Sequence, residues 1–192
     1  GFYIRDINAT EDAPAHIYNN VVDMTNTASY NSYAVYFNKS SNNILFANNT
    51  VRTSGANAYP LYIQRSNTNL QVVNNLFYSK DLPAVSVSDA SYISRCEHNL
   101  LYSESGKLGE IDATEYNDIA AWRTAIGSTT DISEAVTFES EDVLRPVNKG
   151  NLVSGEALDF VTTDITGRMR AAVPTIGAYE WYDKTSTGCQ TA

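Results

Sequence analysis

The hexapeptide FANNTV, Phe46 to Val51, places two asparagines between apolar residues. The same arrangement recurs in IYNNVV, in VVNNLF and, with only the second asparagine kept, in EHNLLY. The second asparagines of the four stretches are spaced by 29, 26 and 24 residues, and they are Asn20, Asn49, Asn75 and Asn99. A unit of this size that recurs at slightly unequal intervals is typical of a solenoid whose stacked strands are joined by loops of varying length.

The segments that flank each asparagine pair alternate apolar and polar residues with a period of two, which indicates β-strands. Each unit holds three such segments, so the sequence predicts four coils of three short strands. The predicted inward positions are Phe2, Ile4, Val35, Phe37, Leu61, Ile63, Val85 and Val87 in the first strands, Ile17, Phe46, Val72 and Cys96 in the second, and Val22, Val51, Phe77 and Leu101 in the third. A slip by one residue would turn them all outward, so the register is well determined.

The repeated asparagines lie where a sharp turn between two strands leaves backbone groups without partners. Amide side chains that point inward can hydrogen-bond these groups and each other, and asparagine tolerates the left-handed backbone of such turns. Stacked about 4.8 Å apart, the spacing of neighbouring strands, the amides would form a ladder. We therefore interpret the asparagines as structural rather than functional residues.

Residues Gly1 to Ser103, through these repeats, resemble right-handed parallel β-helix proteins of the pectate-lyase-like superfamily, where an asparagine ladder lies between the second and third strands of each coil. The ending DITGRMR followed by PTIGAYEW is similar to the D-x-x-G-x-x-R and D-I-G-A-Y-E motif of many secreted β-helix proteins from Bacteroides and relatives. The matching residues are Asp164, Gly167, Arg170, Ile176, Gly177, Ala178, Tyr179 and Glu180. Thr175 replaces the usual aspartate, which weakens any carboxylate role at that position. The resemblance implies an extracellular or bacterial cell-surface location for the mature chain.

We expect one all-β domain over residues 1–192, with regular coils in 1–103 and a helix, irregular coils and a cap in 104–192. The stretch TEYNDIAAWRTAIG spaces Ile119, Trp122 and Ile126 on one helical face, which predicts a short helix ended by Gly127. Residues 129–161 are expected to form irregular coils and to cover the open C-terminal end of the solenoid. The first coil has the regular pattern and no capping segment over its N-terminal edge, whereas terminal repeats are normally atypical caps. This favours a chain that forms the C-terminal part of a longer β-helix. The alternative is that the N-terminal edge contacts another chain.

The net charge of −9 and the pI near 4.6 argue against a nucleic-acid binder or a protein of anionic membrane surfaces. No apolar run reaches the 18 residues that a membrane-spanning segment needs. Cys96 and Cys189 have no metal-site spacing, and whether they pair stays open. The acids do not cluster as a calcium site requires, so no metal ligand is assigned and calcium is considered only for a parent lyase.

The outward positions of the first strands form the candidate site. The alignment stacks Tyr3, Tyr36, Tyr62 and Ser86 in one stripe and Arg5, Asn38, Gln64 and Ser88 in the next. In the family that the sequence resembles, this sheet usually forms the polysaccharide groove. Aromatic rings cover the apolar faces of sugars and amides bond their hydroxyls, so the predicted substrate-binding residues are Tyr3, Tyr36, Tyr62, Asn38, Gln64 and Arg5. The alternative is that stacked tyrosines only stabilise the sheet.

Lys39 and Arg65 occupy equivalent turn positions on adjacent coils and are the predicted catalytic residues. Two cations about 5 Å apart favour the neutral amine of the lysine, which could act as a base while the arginine neutralises a uronate carboxylate. The alternative is a pair of solvated turn cations. Hydrolysis is disfavoured, because Asp6 and Asp89 lie three coils apart, on the order of 14 Å, too far for a catalytic carboxylate pair.

Two functions of different class remain on sequence grounds. The first is a secreted or cell-surface protein that binds or processes a polysaccharide, its parent chain being a lyase of an acidic glycan rather than a hydrolase. The second is a non-catalytic structural or adhesin-type β-helix module. A shared fold does not decide between them, so enzymatic activity, glycan identity and oligomeric state stay open.

Overall fold

The computed structural model describes residues 1–182 of the chain, and its strands follow one another in sets of three. The strands of coils 1 to 4 are, in order, β1 (Phe2–Arg5), β2 (Ala15–Tyr18) and β3 (Val21–Thr25); β4 (Ser32–Lys39), β5 (Asn42–Ala47) and β6 (Thr50–Ser54); β7 (Ala58–Ile63), β8 (Thr68–Val73) and β9 (Leu76–Ser79); and β10 (Val85–Val87), β11 (Ile93–Glu97) and β12 (Leu100–Ser103). A 3₁₀ turn (Ala90–Tyr92) lies within coil 4. The strands β13 (Gly109–Ile111) and β14 (Thr114–Tyr116) and the helix α1 (Ile119–Ile126) follow.

Three parallel sheets run along the molecule, each built from one strand of every coil. Sheet 1 contains β1, β4, β7, β10 and β13, with β14 added antiparallel; sheet 2 contains β2, β5, β8 and β11; sheet 3 contains β3, β6, β9 and β12. Neighbours in a sheet are therefore one coil apart in sequence. The predicted parallel β-solenoid of about four turns is confirmed, and so are all twelve of its predicted strands.

The predicted register is confirmed in each sheet, because the inward residues of successive coils pair directly. The pairs include Val35 with Leu61, Phe46 with Val72, and Val51 with Phe77. One departure lies in coil 1, where the register shifts between Ile4 and Arg5. Arg5 therefore pairs with Lys39 and not with Asn38, which corrects the first member of the second outward stripe.

The asparagine ladder is present between sheets 2 and 3. Each side-chain Nδ2 donates to the Oδ1 of the next asparagine along the chain, at 2.9 Å from Asn20 to Asn49, 3.0 Å from Asn49 to Asn75 and 3.1 Å from Asn75 to Asn99. The residue before each rung has a left-handed backbone, with φ between 52° and 58° at Asn19, Asn48, Asn74 and His98. The two asparagines of each pair thus have separate roles, the first in the turn and the second in the ladder.

The ladder ends on a carboxylate that the sequence did not indicate. Asn99 donates to Asp131 Oδ1 through its backbone N at 2.8 Å and its Nδ2 at 3.0 Å. The other oxygen, Oδ2, accepts from Trp122 Nε1 at 3.1 Å and from the thiol of Cys96 at 3.3 Å. Burial raises the pKa of Asp131, although these hydrogen bonds oppose that shift. Cys96 is a buried free thiol on the predicted core stripe, and Cys189 lies outside the described residues.

The helix α1 is confirmed at its predicted position. Asp118 caps its start by accepting a hydrogen bond from Ala121 N at 2.9 Å, and Gly127 ends it in a left-handed conformation, with φ at 80°. Trp122 and Ile126 join the main core, and the Trp122 ring packs against Gly109 in β13, the strand that follows β10 in sheet 1. Among the residues that the structure describes, no helix has the length and hydropathy of a membrane-spanning segment.

Residues 132–182, which we call the strap, pack along the side of the solenoid. Of the predicted cap, residues 129–161, Asp131 and Ile132 hydrogen-bond the last coil at Asn99 and Leu101, whereas the later residues pack along the side. Three strap residues, Val136, Leu152 and Ile176, pack on the outer residues Leu76 and Leu100 of sheet 3. The strap residues Leu158 and Phe160 pack on the outer face of sheet 2, against Leu45, Ala47 and Val73. These strands are apolar on both faces, which requires such a cover.

The closing motif fixes the strap to the asparagine turns. Arg170 donates to Asn19 Oδ1 in coil 1 at 2.8 Å, and Ala178 N donates to Thr50 Oγ1 in coil 2 at 2.9 Å. Gly177 N donates to the carbonyl of Asn74 in coil 3 at 2.7 Å. The strap therefore contacts three successive coils at one corner of the solenoid.

Candidate functional site

The outer face of sheet 1 carries the three tyrosines that the sequence placed there. Tyr3 pairs with Tyr36, and Tyr36 pairs with Tyr62, one tyrosine per coil. Their ring centroids are 5.4 Å and 5.3 Å apart. Tyr3 has 60% of its surface exposed, and the other two side chains are half-buried. The rings therefore form a continuous aromatic stripe along the solenoid axis.

Two further tyrosines that the sequence analysis missed widen this stripe. Tyr33 lies 4.7 Å from Tyr36 and 4.5 Å from Tyr62 between ring centroids, and Tyr59 lies 5.2 Å from Tyr62. We call the set of Tyr3, Tyr33, Tyr36, Tyr59 and Tyr62 the tyrosine face. Strict alternation from Val35 would turn Tyr33 inward, but Ala34 and Val35 are both buried, so the alternation breaks. The spacing Tyr-x-x-Tyr in both coils was the available signal.

Amide side chains connect the phenol groups of this face. Tyr36 OH donates to Gln64 Oε1 at 2.6 Å, and Gln64 Nε2 donates to Tyr62 OH at 3.2 Å. Asn38 Nδ2 donates to the hydroxyl of Tyr3. Burial raises the pKa of Tyr36 and of Tyr62, and it raises the pKa of Tyr59 to about 12 with a further contribution from Glu110. The three phenols are therefore protonated at neutral pH.

The predicted catalytic residues lie beside the tyrosine face. Lys39 and Arg65 line a depression of about 440 Å³ together with Arg5, Asn38, Ser40 and Ser66. Arg5 pairs with Asp6 at 3.0 Å. Within residues 1–182, no carboxylate lies within 4.0 Å of the charged nitrogens of Lys39 or Arg65. The structure thus brings three cations of successive coils to one basic depression.

A pair of glutamates lies at the opposite end of sheet 1, where the sequence analysis assigned no site. Glu110 in β13 and Glu115 in β14 stand directly opposite each other in the antiparallel pair. Glu110 accepts a hydrogen bond from Ser86 Oγ at 2.8 Å, and Glu115 pairs with Lys107 at 2.7 Å. The hairpin that contains them was missed because no strand was predicted between Ser103 and the helix.

The outer face of sheet 1 is the open one. The strap forms apolar clusters with the outer faces of sheets 2 and 3, and within residues 1–182 neither cluster includes a residue of the tyrosine face. The described residues also contain no group of three or more His, Cys, Asp or Glu side chains that could hold a metal ion. The outer face of sheet 1 therefore carries aromatic, amide and cationic groups in coils 1 to 3 and the carboxylate of Glu110 next to Ser86.

Comparisons of the chain with protein-family models, with curated proteins and with solved structures find no match.

Proposed function

We propose that the tyrosine face and the adjacent basic depression bind a polysaccharide. The observation that carries this proposal is the cluster of five tyrosines, in mutual ring contact, on the one sheet whose outer face the strap leaves open. Exposed aromatic rings match the apolar faces of sugar rings, and the amides of Asn38 and Gln64 supply hydrogen bonds for hydroxyls. The residues involved include all those proposed from the sequence as substrate-binding.

The favoured ligand is an acidic glycan, because Arg5, Lys39 and Arg65 line the depression beside the rings. A guanidinium forms two parallel hydrogen bonds with a carboxylate, which makes arginine suited to a uronate group. The overall charge of −9 does not oppose this proposal, since long-range repulsion is screened over about 10 Å at 0.1 M salt.

A glycan array tests the binding proposal. We expect the double variant Tyr36→Ala with Tyr62→Ala to lose the binding that the wild type shows. Tyr30→Ala is the matched control, because Tyr30 is 71% exposed and lies off the face. Equal binding by the double variant and the control, with both variants folded by circular dichroism, would contradict the proposal.

The basic depression is tested separately with oligogalacturonates. Lys39→Ala and Arg65→Ala should each weaken binding and reduce its dependence on salt. Lys80→Ala removes the same charge from an exposed residue elsewhere and should leave binding unchanged. A loss that is equal for Lys80→Ala would assign the effect to net charge alone.

A lyase activity of the parent chain is the catalytic form of this proposal. Lys39 would be the base that takes the proton next to the uronate carboxylate, and Arg65 would neutralise that carboxylate. The glycosidic C–O bond then breaks, a C=C bond forms in the sugar, and the leaving oxygen takes a proton from solvent. Ultraviolet absorbance of the unsaturated ends would report turnover, and its loss in Lys39→Ala would support the assigned base.

The second candidate is a non-catalytic adhesin or spacer module. The observation that favours it is that the tyrosine rings contact one another, and such contacts stabilise a sheet without any ligand. Glycan binding without a change in ultraviolet absorbance would indicate a non-catalytic binder, and no binding on the glycan array would indicate a spacer.

We also propose an extracellular or bacterial cell-surface location, which the closing motif of the Bacteroides-type secreted proteins supports.

A further inference from the structure

The phenols of the tyrosine face differ in their hydrogen-bonding roles. Tyr36 OH lies 2.6 Å from Gln64 Oε1, and Gln64 Nε2 lies 3.2 Å from Tyr62 OH. The shorter distance suits an O–H donor and the longer one an N–H donor, which supports this orientation of the amide. A phenol has one proton, so the proton of Tyr36 is committed to Gln64.

The hydroxyl proton of Tyr62, in contrast, is available to a ligand. Its hydroxyl oxygen accepts from Gln64, and among residues 1–182 no acceptor is hydrogen-bonded to its proton. Tyr36 can therefore offer a ligand only lone pairs, whereas Tyr62 can donate. A hydroxyl that already accepts a hydrogen bond is also polarised into a better donor.

We propose that Gln64 is a positioning residue that assigns opposite roles to neighbouring tyrosines, making Tyr36 an acceptor and Tyr62 a donor. The face then selects a glycan that presents a hydroxyl donor at coil 2 and an acceptor oxygen at coil 3. This selectivity rests on the proposed function and deepens it, because it names the residue that sets the hydrogen-bond pattern.

The assignment is tested without any ligand, by following the ionisation of each tyrosine in ¹³Cζ-tyrosine NMR titrations. In Gln64→Met, Tyr36 loses the acceptor of its proton and should ionise at lower pH. Tyr62 loses the donor that stabilises its phenolate and should ionise at higher pH. We expect opposite shifts of about half a pH unit. Shifts of the same sign in both tyrosines overturn the proposal.

A carboxylate at this position supplies the second variant. Gln64→Glu places two acceptors between the phenols, so both tyrosines should ionise at higher pH. The control is Ser88→Glu, which puts the same charge at the equivalent position one coil further along. Shifts in Gln64→Glu no larger than those in Ser88→Glu would show only a long-range charge effect and overturn the proposed hydrogen bonds.

The glycan array then measures the selectivity. On a glycan that the wild type binds, Tyr62→Phe and Tyr36→Phe should each weaken binding about tenfold, because each variant removes one hydrogen bond to the ligand. Methylation of the ligand hydroxyl that donates to Tyr36 should weaken binding by the wild type and by Tyr62→Phe but cause no further loss in Tyr36→Phe. A methylation loss in Tyr36→Phe as large as that in the wild type contradicts the assigned roles. A silent array overturns the proposed function and the selectivity with it, while the NMR titration decides independently whether Gln64 assigns the roles.

Discussion

Arg170 and Glu180 form an ion pair inside the strap, with 3.4 Å between Nη1 and Oε2 and side-chain exposures of 4% and 6%. Burial lowers the pKa of Arg170, although Glu180 and Asp164 oppose the shift. Glu180 also accepts hydrogen bonds from the backbone N of Thr175 and Ala171. Both residues belong to the closing motif, so the spacing of its arginine and its glutamate has a physical basis in one buried charge pair.

Removal of one partner of this pair should destabilise the protein strongly. We expect Arg170→Met to lower the free energy of unfolding by about 3 to 5 kcal/mol, because Glu180 stays buried without its counter-charge. The double variant Arg170→Met with Glu180→Leu should recover much of that loss. Lys107→Ala, which breaks the exposed pair with Glu115, should cost about 1 kcal/mol or less. Similar losses in both single variants, measured by urea denaturation, would refute this account.

The end of the asparagine ladder should require a group that only accepts hydrogen bonds. In Asp131→Asn, the new Nδ2 would face the Nε1–H of Trp122 and the thiol of Cys96, so one donor is left unpaired. We expect a loss of about 1 to 3 kcal/mol in the free energy of unfolding. Asp118→Asn is the control, since asparagine caps a helix as well as aspartate does. An Asp131→Asn variant as stable as this control would contradict the assigned role.

Asp164 should contribute a pH-dependent part of the stability. Burial alone would raise the pKa of Asp164, but hydrogen bonds from the backbone of Glu180, Arg168 and Thr166 and from the Thr166 hydroxyl outweigh it and hold that pKa below its ordinary value. The stabilisation is therefore present above the unfolded pKa, about 3.9, and is lost as the pH falls through the lower folded pKa. The stability difference between the wild type and Asp164→Asn should shrink below pH 4.

Urea denaturation from pH 7 to pH 3 measures this difference. Leu152→Ala is the comparison, because it removes buried strap contacts without a titrating group, so its cost should vary little with pH. The interpretation fails when the cost of Asp164→Asn stays as constant as that of Leu152→Ala.

The contact of Gly109 with Trp122 should tolerate no side chain. A Cβ at residue 109 would lie 2.2 Å from Cε3 and Cζ3 of the indole, so Gly109→Ala must displace the ring. We expect a loss of about 1 to 3 kcal/mol and a changed near-ultraviolet circular dichroism signal. A Cβ at Gly106 meets no atom within 4 Å, although its φ of 82° adds strain. Gly106→Ala should therefore lose stability without altering the tryptophan signal; an equal spectral change in both would count against the contact.

The regular coils were predictable because two patterns agree on one register. Strict alternation defines the inward residues, and the asparagines fix where each coil turns. Alternation did not predict the outward position of Tyr33, because Ala34 and Val35 are both buried in the core and the alternation is interrupted there. The position of the strap was not predicted either. Leu45 and Leu76 point outward, and the strap residues that bury them are distant in sequence. Patterns of single strands do not identify such distant partners.

The positions of most candidate site residues on the outer face of sheet 1 were predictable, but the hydrogen bonds among them were not. Stacking of equivalent positions placed Tyr3, Tyr36 and Tyr62 together and brought Lys39 beside Arg65. The direction of each hydrogen bond at Gln64 depends on side-chain geometry, which the spacing of residues does not determine. The pairing of Glu110 with Glu115 depends on the antiparallel hairpin of β13 and β14, which lies outside the repeated pattern and was not predicted.

Arg170 donates a hydrogen bond to Asn19, 151 residues earlier in the chain, and this contact affects the order in which the coils should unfold. Solenoids whose coils touch only their neighbours can fray from an end, one coil at a time. Here the strap is bonded to coils 1, 2 and 3 and packs on Leu100 of coil 4, so the first coil cannot detach without also losing its contacts with the strap. We therefore expect the four coils to unfold together, with the strap determining when the first coil unfolds.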